Sequence, residues 1–521
     1  MINFIRPNSI PKSAIGYGLI AVLVIAAAAT AVTYIRFPRC YDDAYITFRY
    51  AQRLAEGFGF TYNDSIRTLG TTSPFMAIAL SFGAIIFSTD SIPALARLIG
   101  AISFIFSTYL IYSIVDKLTG KKWMAIVSAF LYATYHPSVQ SSATGMEVPL
   151  FIALILAAFR LALSGKSFLP GLLVGILIGI RPDGIVWAAA LGLFYWNDPR
   201  RLWRYGVGFL IPAVPTVIAL TLYFGSPLPL SIVAKQVSYG PFLNLDLNNM
   251  LKVLGVAFPD RISNNPLNVI VLWSVILVIS ALAIIRALKT NNNGIVPVVG
   301  FIILYPLFLW YGRTIMFIWY GYVLFPMFLI LIADFASERL ASLMKSPIAV
   351  GIVILVLLVW SGIFVWRVFI FEPAYGHGGP GLVDTEQRGL YFRDHAPPDA
   401  SIFTEAIPQV GYISGRKIYC EIGLVSPEIV EIKRRYGYKI KENSEWYFDV
   451  LKEYRPDYLM IHAVQFDRNC LMPYEDAPLL ADKADSLYFY GHYELIPVSE
   501  IIASGDYTGI IPERYYIFKR K

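Results

Sequence analysis

The sequence predicts an α-helical protein that crosses a membrane many times and ends in a soluble α/β domain. Three observations predict it. Hydrophobic residues make up 56% of the 521 positions and charged residues only 15%, whereas a soluble domain carries about a quarter charged. The apolar residues fall in uncharged runs, the first being "AIGYGLIAVLVIAAAATAVTYI" from Ala14 to Ile35. At about 1.5 Å per residue a run of this length crosses roughly 30 Å of hydrocarbon. Beyond Phe371 the character changes to polar sequence punctuated by Gly and Pro, beginning "EPAYGHGGPGLVDTEQRG".

The first run is too long for a signal-peptide core and no small-residue cleavage site follows it, so it is expected as a retained span. Further apolar segments follow at 73–89, 91–115, 123–137, 147–164, 168–180, 184–197, 205–224, 266–286, 294–312, 314–333 and 346–370. Basic residues on a membrane protein concentrate in cytoplasmic loops. With Arg6 and Lys12 cytoplasmic and 73–89 re-entrant or interfacial, the loops holding Lys117, Lys121 and Lys122, then Lys166, then Arg200, Arg201 and Arg204, then Arg286 and Lys289, then Arg339 and Lys345 all face the cytoplasm. That assignment gives about eleven spans. It places Asp42, Asp43, Glu147, the 225–265 loop and the C-terminal domain together on the outer side. The expected division is 1–370, a transmembrane domain whose first outer loop is 36–72, and 371–521, an extracytoplasmic α/β domain. Segments 168–180 and 184–197 barely reach across, so the "RPDG" turn between them is expected partly sunk in the membrane.

In the last part, "SIFTE", "PDYLMIHA" and "RYYIFKR" read as strands and "PEIVEIKRRYG" as a helix. The net charge of +7 is accounted for by the cytoplasmic loops and calls for no nucleic-acid partner. The three cysteines, Cys40, Cys420 and Cys470, have neither metal-site nor redox spacing. Cys420 and Cys470 are open to two readings, a disulfide in an oxidising compartment or two free thiols.

Candidate chemistry begins directly after the first span, in "RCYDDAYITFRYAQRLAEGFGFTYN". Tyr41, Tyr45, Phe48, Ala51 and Ala55 recur at helical spacing, and Asp42, Arg49, Arg53 and Glu56 form the other face. The pattern predicts an amphipathic helix on the membrane surface with an aspartate pair at its N-terminus. Helix capping is the ordinary role for such a pair. A second outer acid, Glu147 in "SSATGMEVPLF", and the outer cations Arg181, Lys235 and Arg313 point further. Each cation has a snorkelling role as its ordinary explanation, and Arg181 has Asp183 within its own turn as a partner. As a set, they suit one reaction. A carboxylate takes a proton from an acceptor hydroxyl while nearby cations stabilise a departing phosphate, and a membrane surface is where a lipid-linked phosphosugar presents its head group. Walker, HExxH, supported GxSxG and Rossmann signatures are absent from the sequence, and five scattered histidines argue against a His-based metal site.

On these residues the sequence resembles the GT-C class of polyprenyl-phosphate-sugar-dependent glycosyltransferases, and within it the branch of terminal cell-wall arabinofuranosyltransferases and their uncharacterised bacterial relatives. The stretches that carry the resemblance are "DDAYITFRYAQRLAEGFGFTYN" with "GTTSPF", "TGMEVPLF", "RPDG", "YFGSPLPLSIVAK", "VGYISGRKIYCEIGLVSPE" and "RPDYLMIH", in family order over nearly the whole chain. The resemblance implies that Asp42 or Asp43 is the catalytic base, Asp42 being preferred by its place in the doublet, with Glu147 as the second acid of the same cavity. Arg181, Lys235 and Arg313 would contact the donor phosphate, with Arg49 and Asp183 in support, and the C-terminal domain would cap the cavity. Three departures stand out: Leu69-Gly70 where relatives have Glu-Gly, Glu421 where they carry Asp, and "SPLPLSIVAK" without the Asn that often follows Leu-Pro.

The expected function is therefore inverting transfer of a sugar from a polyprenyl-phosphate donor to a hydroxyl of a cell-envelope glycan, lipid or protein, at the outer face of the cytoplasmic membrane. A single leaving phosphate needs no chelated metal, so no cofactor is expected; a divalent cation at the acidic cluster stays open. Two other classes compete. A secondary transporter or flippase of lipid-linked sugars would show related halves and mid-span acids, and a non-catalytic envelope-assembly protein or polysaccharide polymerase would use the C-terminal domain as a binding module.

Overall fold

The computed structural model describes residues 12–64, 66–240, 243–258, 263–290, 292–343, 346–367, 380–437, 440, 444–467, 479–480, 483–497 and 515–521. Among these, seven helices are long and apolar enough to cross a membrane: Gly16–Arg36, Thr89–Thr119, Pro199–Phe224, Pro266–Thr290, Asn293–Tyr311, Ile318–Leu340 and Ile348–Trp366. Five shorter apolar helices stand among them: Pro74–Ile86, Lys122–Ala133, Val148–Ala162, Phe168–Ile180 and Gly184–Tyr195. The Phe168–Ile180 helix lies directly on Pro199–Phe224 because glycines line the seam. A Cβ on Gly171 or Gly175 would strike the carbonyl oxygen of Tyr205 or Phe209, and one on Gly208 would strike that of Phe168. Such close backbone approach is how helices associate where no hydrophobic force separates protein from lipid. It fixes the end of this helix, and hence Arg181 at its C-cap.

The Ala44–Ala55 helix does not present its charged face to water, as its amphipathic pattern suggested. Arg49 and Arg53 are buried along with Phe48, Tyr50 and Ala51. The C-terminal domain covers that face. Arg49 Nη2 donates to the Gly415 carbonyl at 2.9 Å, and Asn63 exchanges two hydrogen bonds with the Ile418 backbone at 2.8 and 2.9 Å. Ile418 lies in strand β2 (Lys417–Cys420), an outer strand of the sheet, so Asn63 occupies pairing positions that an edge would otherwise leave open.

That sheet has five strands in the order β2-β1-β3-β5-β4, with β1 at Ser401–Thr404, β3 at Tyr458–His462, β4 at Tyr493–Leu495 and β5 at Tyr515–Arg520. β1 runs parallel to β2 and β3, while β5 runs antiparallel to β3 and β4. Side chains alternate between two cores, as the strand period requires. Ile402, Ile418, Met460 and Ile517 join the core continuous with the membrane helices. Phe403, Tyr419, Leu459 and Phe518 join a second core closed by Trp446 and Ile429. The three strands and the helix (Pro427–Tyr436) expected here are present, and β2 and β4 are additional. Cys40 and Cys420 are buried and form no disulfide among the described residues; Cys470 lies outside the described residues, and with it the disulfide reading.

Candidate active site

A buried arginine that the sequence did not single out arranges the first acids. Arg97, in the Ile92–Thr119 helix, donates to the carbonyls of Tyr34, Phe37 and Pro38 at 2.8, 2.7 and 3.0 Å and to that of Ala143 at 3.0 Å. It thereby ties the end of the first span to the loop before Glu147. Tyr41 N–H completes the tie by donating to Thr144 O at 2.8 Å. Gly145, at φ 77°, sits where a side chain would meet Cys40 Sγ and Phe48. Two loops far apart in sequence are thus locked side by side, each ending in an acid.

Asp43 and Glu147 occupy N-cap positions, of Ala44–Ala55 and Val148–Ala162, yet neither side chain makes a capping hydrogen bond. Both instead line one cavity of about 310 Å³, with Arg181, Asp183, Lys235 and Arg313. Thr47 and Thr71 add hydroxyls to the same wall, their Oγ1 atoms 2.9 Å apart. The "GTTSP" loop is held by Tyr50 OH accepting from Gly70 N–H at 2.7 Å and by Leu230 N–H donating to Leu69 O at 2.6 Å. A Cβ on Gly70 would lie 2.7 Å from Val425 Cγ1 and 2.9 Å from Leu424 O, so glycine here lets the C-terminal domain close on the cavity.

Arg181 is committed to carboxylates. Its Nη1 donates to Glu147 Oε1 at 2.8 Å, while Nε and Nη2 each meet Asp183 at 3.0 Å. Tyr305 OH donates to Asp183 Oδ2 at 2.9 Å, and the guanidinium lies between the Phe151 and Tyr320 rings. One cation between two carboxylates leaves this buried network net negative. Lys235 and Arg313 are different. Lys235 Nζ sits 4.8 Å from the centre of the Phe317 ring, and neither side chain forms a hydrogen bond or ion pair among the described residues. Arg313 is held at φ 46°, an uncommon backbone state for a residue with a side chain.

Asp42 is not part of the cavity wall. Its Oδ1 is buried without a partner. Burial first, and then the charge of Asp43, pushes its carboxyl up to about 7, with Glu405 adding to the rise and a Gln409 backbone hydrogen bond opposing it. Arg49 also stands apart, bound to Gly415 and Gln52. The residues that the sequence did not indicate are Thr47, Thr71, Arg97 and Tyr305; of these only the "GTTSPF" motif hinted at one, Thr71. Among the described residues no three His, Cys, Asp or Glu side chains converge on a metal-binding position. The cavity holds Asp43 beside two carboxylates that Arg181 already engages.

Solved structures share this architecture. The oligosaccharyltransferase of Archaeoglobus fulgidus, in complex with Zn and sulfate, superposes with a TM-score of 0.60 over 96% of this chain and 88% of that one, at 14% identity. ArnT from Cupriavidus metallidurans, bound to undecaprenyl phosphate, gives 0.54 over 95% of this chain and 97% of that one, at 11% identity. The chain has a GT-C-type fold. A third structure, the Archaeoglobus fulgidus AglB with an inhibitory peptide and a dolichol-phosphate, matches at 0.52 over 87% of this chain and 70% of that one, at 14% identity. At these identities the likeness is one of fold. A family model described as a domain of unknown function, DUF8728, matches residues 381–516, the greater part of the C-terminal domain. No curated protein matches the chain.

Proposed function

We infer that the protein is an inverting glycosyltransferase that moves a sugar from a polyprenyl-phosphate donor to an acceptor hydroxyl at the outer face of the cytoplasmic membrane, with the C-terminal domain on that same side. One observation carries the reading: Asp43, free of any cap bond, shares a single cavity with two cations, Lys235 and Arg313, whose side chains form no hydrogen bond or ion pair among the described residues. The fold supports it, since the similar structures hold undecaprenyl phosphate and dolichol-phosphate. The sequence motifs further favour the branch of terminal arabinofuranosyltransferases.

In this reading the acceptor oxygen attacks the anomeric carbon as the bond from that carbon to the phosphate oxygen breaks. The hydroxyl proton passes to the Asp43 carboxylate, and the electron pair leaves with the polyprenyl phosphate. Lys235 and Arg313 stabilise the charge that develops on the phosphate, where fixed cations in a closed site act most strongly. Arg181 holds Glu147 and Asp183 in place.

Proteoliposomes supplied with radiolabelled polyprenyl-phosphate pentose and, separately, hexose test the proposal. Label should leave the lipid only where the wild-type protein is present, with free polyprenyl phosphate accumulating in equal amount. Movement of intact lipid-linked sugar across the bilayer without its cleavage would replace this reading by the transporter.

A further inference from the structure

The catalytic cavity opens beside a larger one. Leu309, Arg313, Thr314 and Ile315 line both the 310 Å³ cavity and a neighbour of about 510 Å³. The outer walls of the neighbour come from the Leu230–Tyr239 and Leu247–Gly255 helices and the residues after Trp310. Resting on the transferase reading, we propose that this larger cavity is the acceptor subsite and that the acceptor is a saccharide.

The lining chemistry decides the class. Asn244, Asn249 and Asn264 place three amide-bearing residues on the wall, and no carboxylate lines it among the described residues. An amide both donates and accepts, which matches the paired character of sugar hydroxyls. Tyr239, Phe258 and Trp310 supply aromatic rings, onto which the apolar C–H face of a sugar packs. Trp310 is fixed for this by donating Nε1–H to Asp246 O at 3.2 Å. The Asn249 amide already donates to Asn244 O at 2.6 Å, but a prenyl tail would leave the Asn244 and Asn264 amides unpaired, which is costly when desolvated.

The position decides the role. Tyr239 lines this cavity and ends the helix that carries Lys235, which lines the other. Its phenol is raised by burial first, and then by Glu405, the Cys420 thiol, Glu421 and Asp43. A saccharide seated here would reach past Thr314 and Arg313 with one hydroxyl toward Asp43. Lys252 and Arg313 are the cations of the wall and suit an acceptor that also bears an anionic group.

Detergent-solubilised full-length protein separates this proposal from the one it rests on. Saturation-transfer NMR should show binding of short pentose or hexose oligosaccharides, with no signal from a Ser/Thr peptide of similar mass. Transfer from the polyprenyl-phosphate donor should run to the oligosaccharides and not to the peptide or to diacylglycerol. Trp310→Ala and Asn264→Ala should each raise the acceptor KM at least tenfold while moving the donor KM less than twofold. The Asn264 side chain lines the wall and makes no hydrogen bond among the described residues, so its truncation breaks no bond within the wall. Transfer to peptide or diacylglycerol, or an unchanged acceptor KM in both variants, would overturn the acceptor assignment. Saccharide binding without cleavage of any donor would instead overturn the transferase reading.

Discussion

Arg181 Nη1 and Glu147 Oε1 meet at 2.8 Å, joining two loops 34 residues apart in sequence, inside a site from which both side chains are almost excluded from solvent. The pair has a third member in Asp183, which takes two further donors of the same guanidinium. An arginine so occupied acts chiefly on the protein. The cations left for a ligand are Lys235 and Arg313, whose side chains have no hydrogen-bond or ion-pair partner among the described residues.

Removing Arg181 should therefore cost stability before it costs binding. Arg181→Ala leaves Glu147 and Asp183 buried with no counter-charge, a change worth about 3–5 kcal/mol. Thermal unfolding in detergent should show a large fall for Arg181→Ala. A melting temperature close to that of the wild type would mean that the network is not a structural element.

Lys235→Ala and Arg313→Ala should behave in the opposite way. Neither side chain has a polar partner among the described residues, so stability should stay within about 0.5 kcal/mol. Donor KM or the rate of phosphate release should worsen, most in the double variant. Unchanged donor kinetics would remove these residues from the phosphate site.

Asp42 should make the protein lose stability as pH rises toward neutrality. Its carboxyl is pushed from an ordinary 3.8 up to about 7 by burial and by Asp43. Between those values the folded state keeps a proton that the unfolded chain has released, so ionisation works against folding. The penalty is absent below about 4, grows through the window and is complete above about 7. The melting temperature should therefore drop from pH 6 to pH 8, and Asp42→Asn should reduce that drop. An equal drop in both proteins would show that another group titrates.

Asn63 should hold the C-terminal domain on the membrane helices. Its amide exchanges two hydrogen bonds with Ile418, both buried. Asn63→Ala leaves a backbone N–H and C=O unpaired, at a cost of about 1–3 kcal/mol each at most. Hydrogen exchange at the Ile418 amide should accelerate in the variant. Unaltered protection there would mean that the contact contributes little.

Much of this architecture was readable from the chain because apolar runs and basic loops follow directly from the bilayer. The short β-branched runs "SIFTE" and "PDYLMIHA" were readable as strands from their composition. β2 (KIYC) holds one β-branched residue and β4 (YEL) none, so neither stands out as such a run. The charged face of Ala44–Ala55 was misread because amphipathicity shows only that a helix has two faces. It does not show whether water or protein covers the polar one, and here Gly415 of the C-terminal domain takes Arg49 while Thr61 and Asp64 take Arg53. The order within the Asp42–Asp43 doublet was equally hidden. Adjacent residues at a helix start point in directions set by the incoming turn, and that turn is fixed by Arg97, a lone arginine inside an apolar run. Asp43 rather than Asp42 stands on the cavity wall for that reason.

The central claim is that Asp43 accepts the acceptor's proton, and single-turnover transfer by Asp43→Asn and Asp42→Asn, purified in the same detergent, tests it most directly. General-base removal is worth roughly 10²–10⁴-fold, so Asp43→Asn should lose at least a hundredfold in rate while remaining folded, and Asp42→Asn should keep most of its activity. Full activity in Asp43→Asn, or a loss confined to Asp42→Asn, would contradict the account.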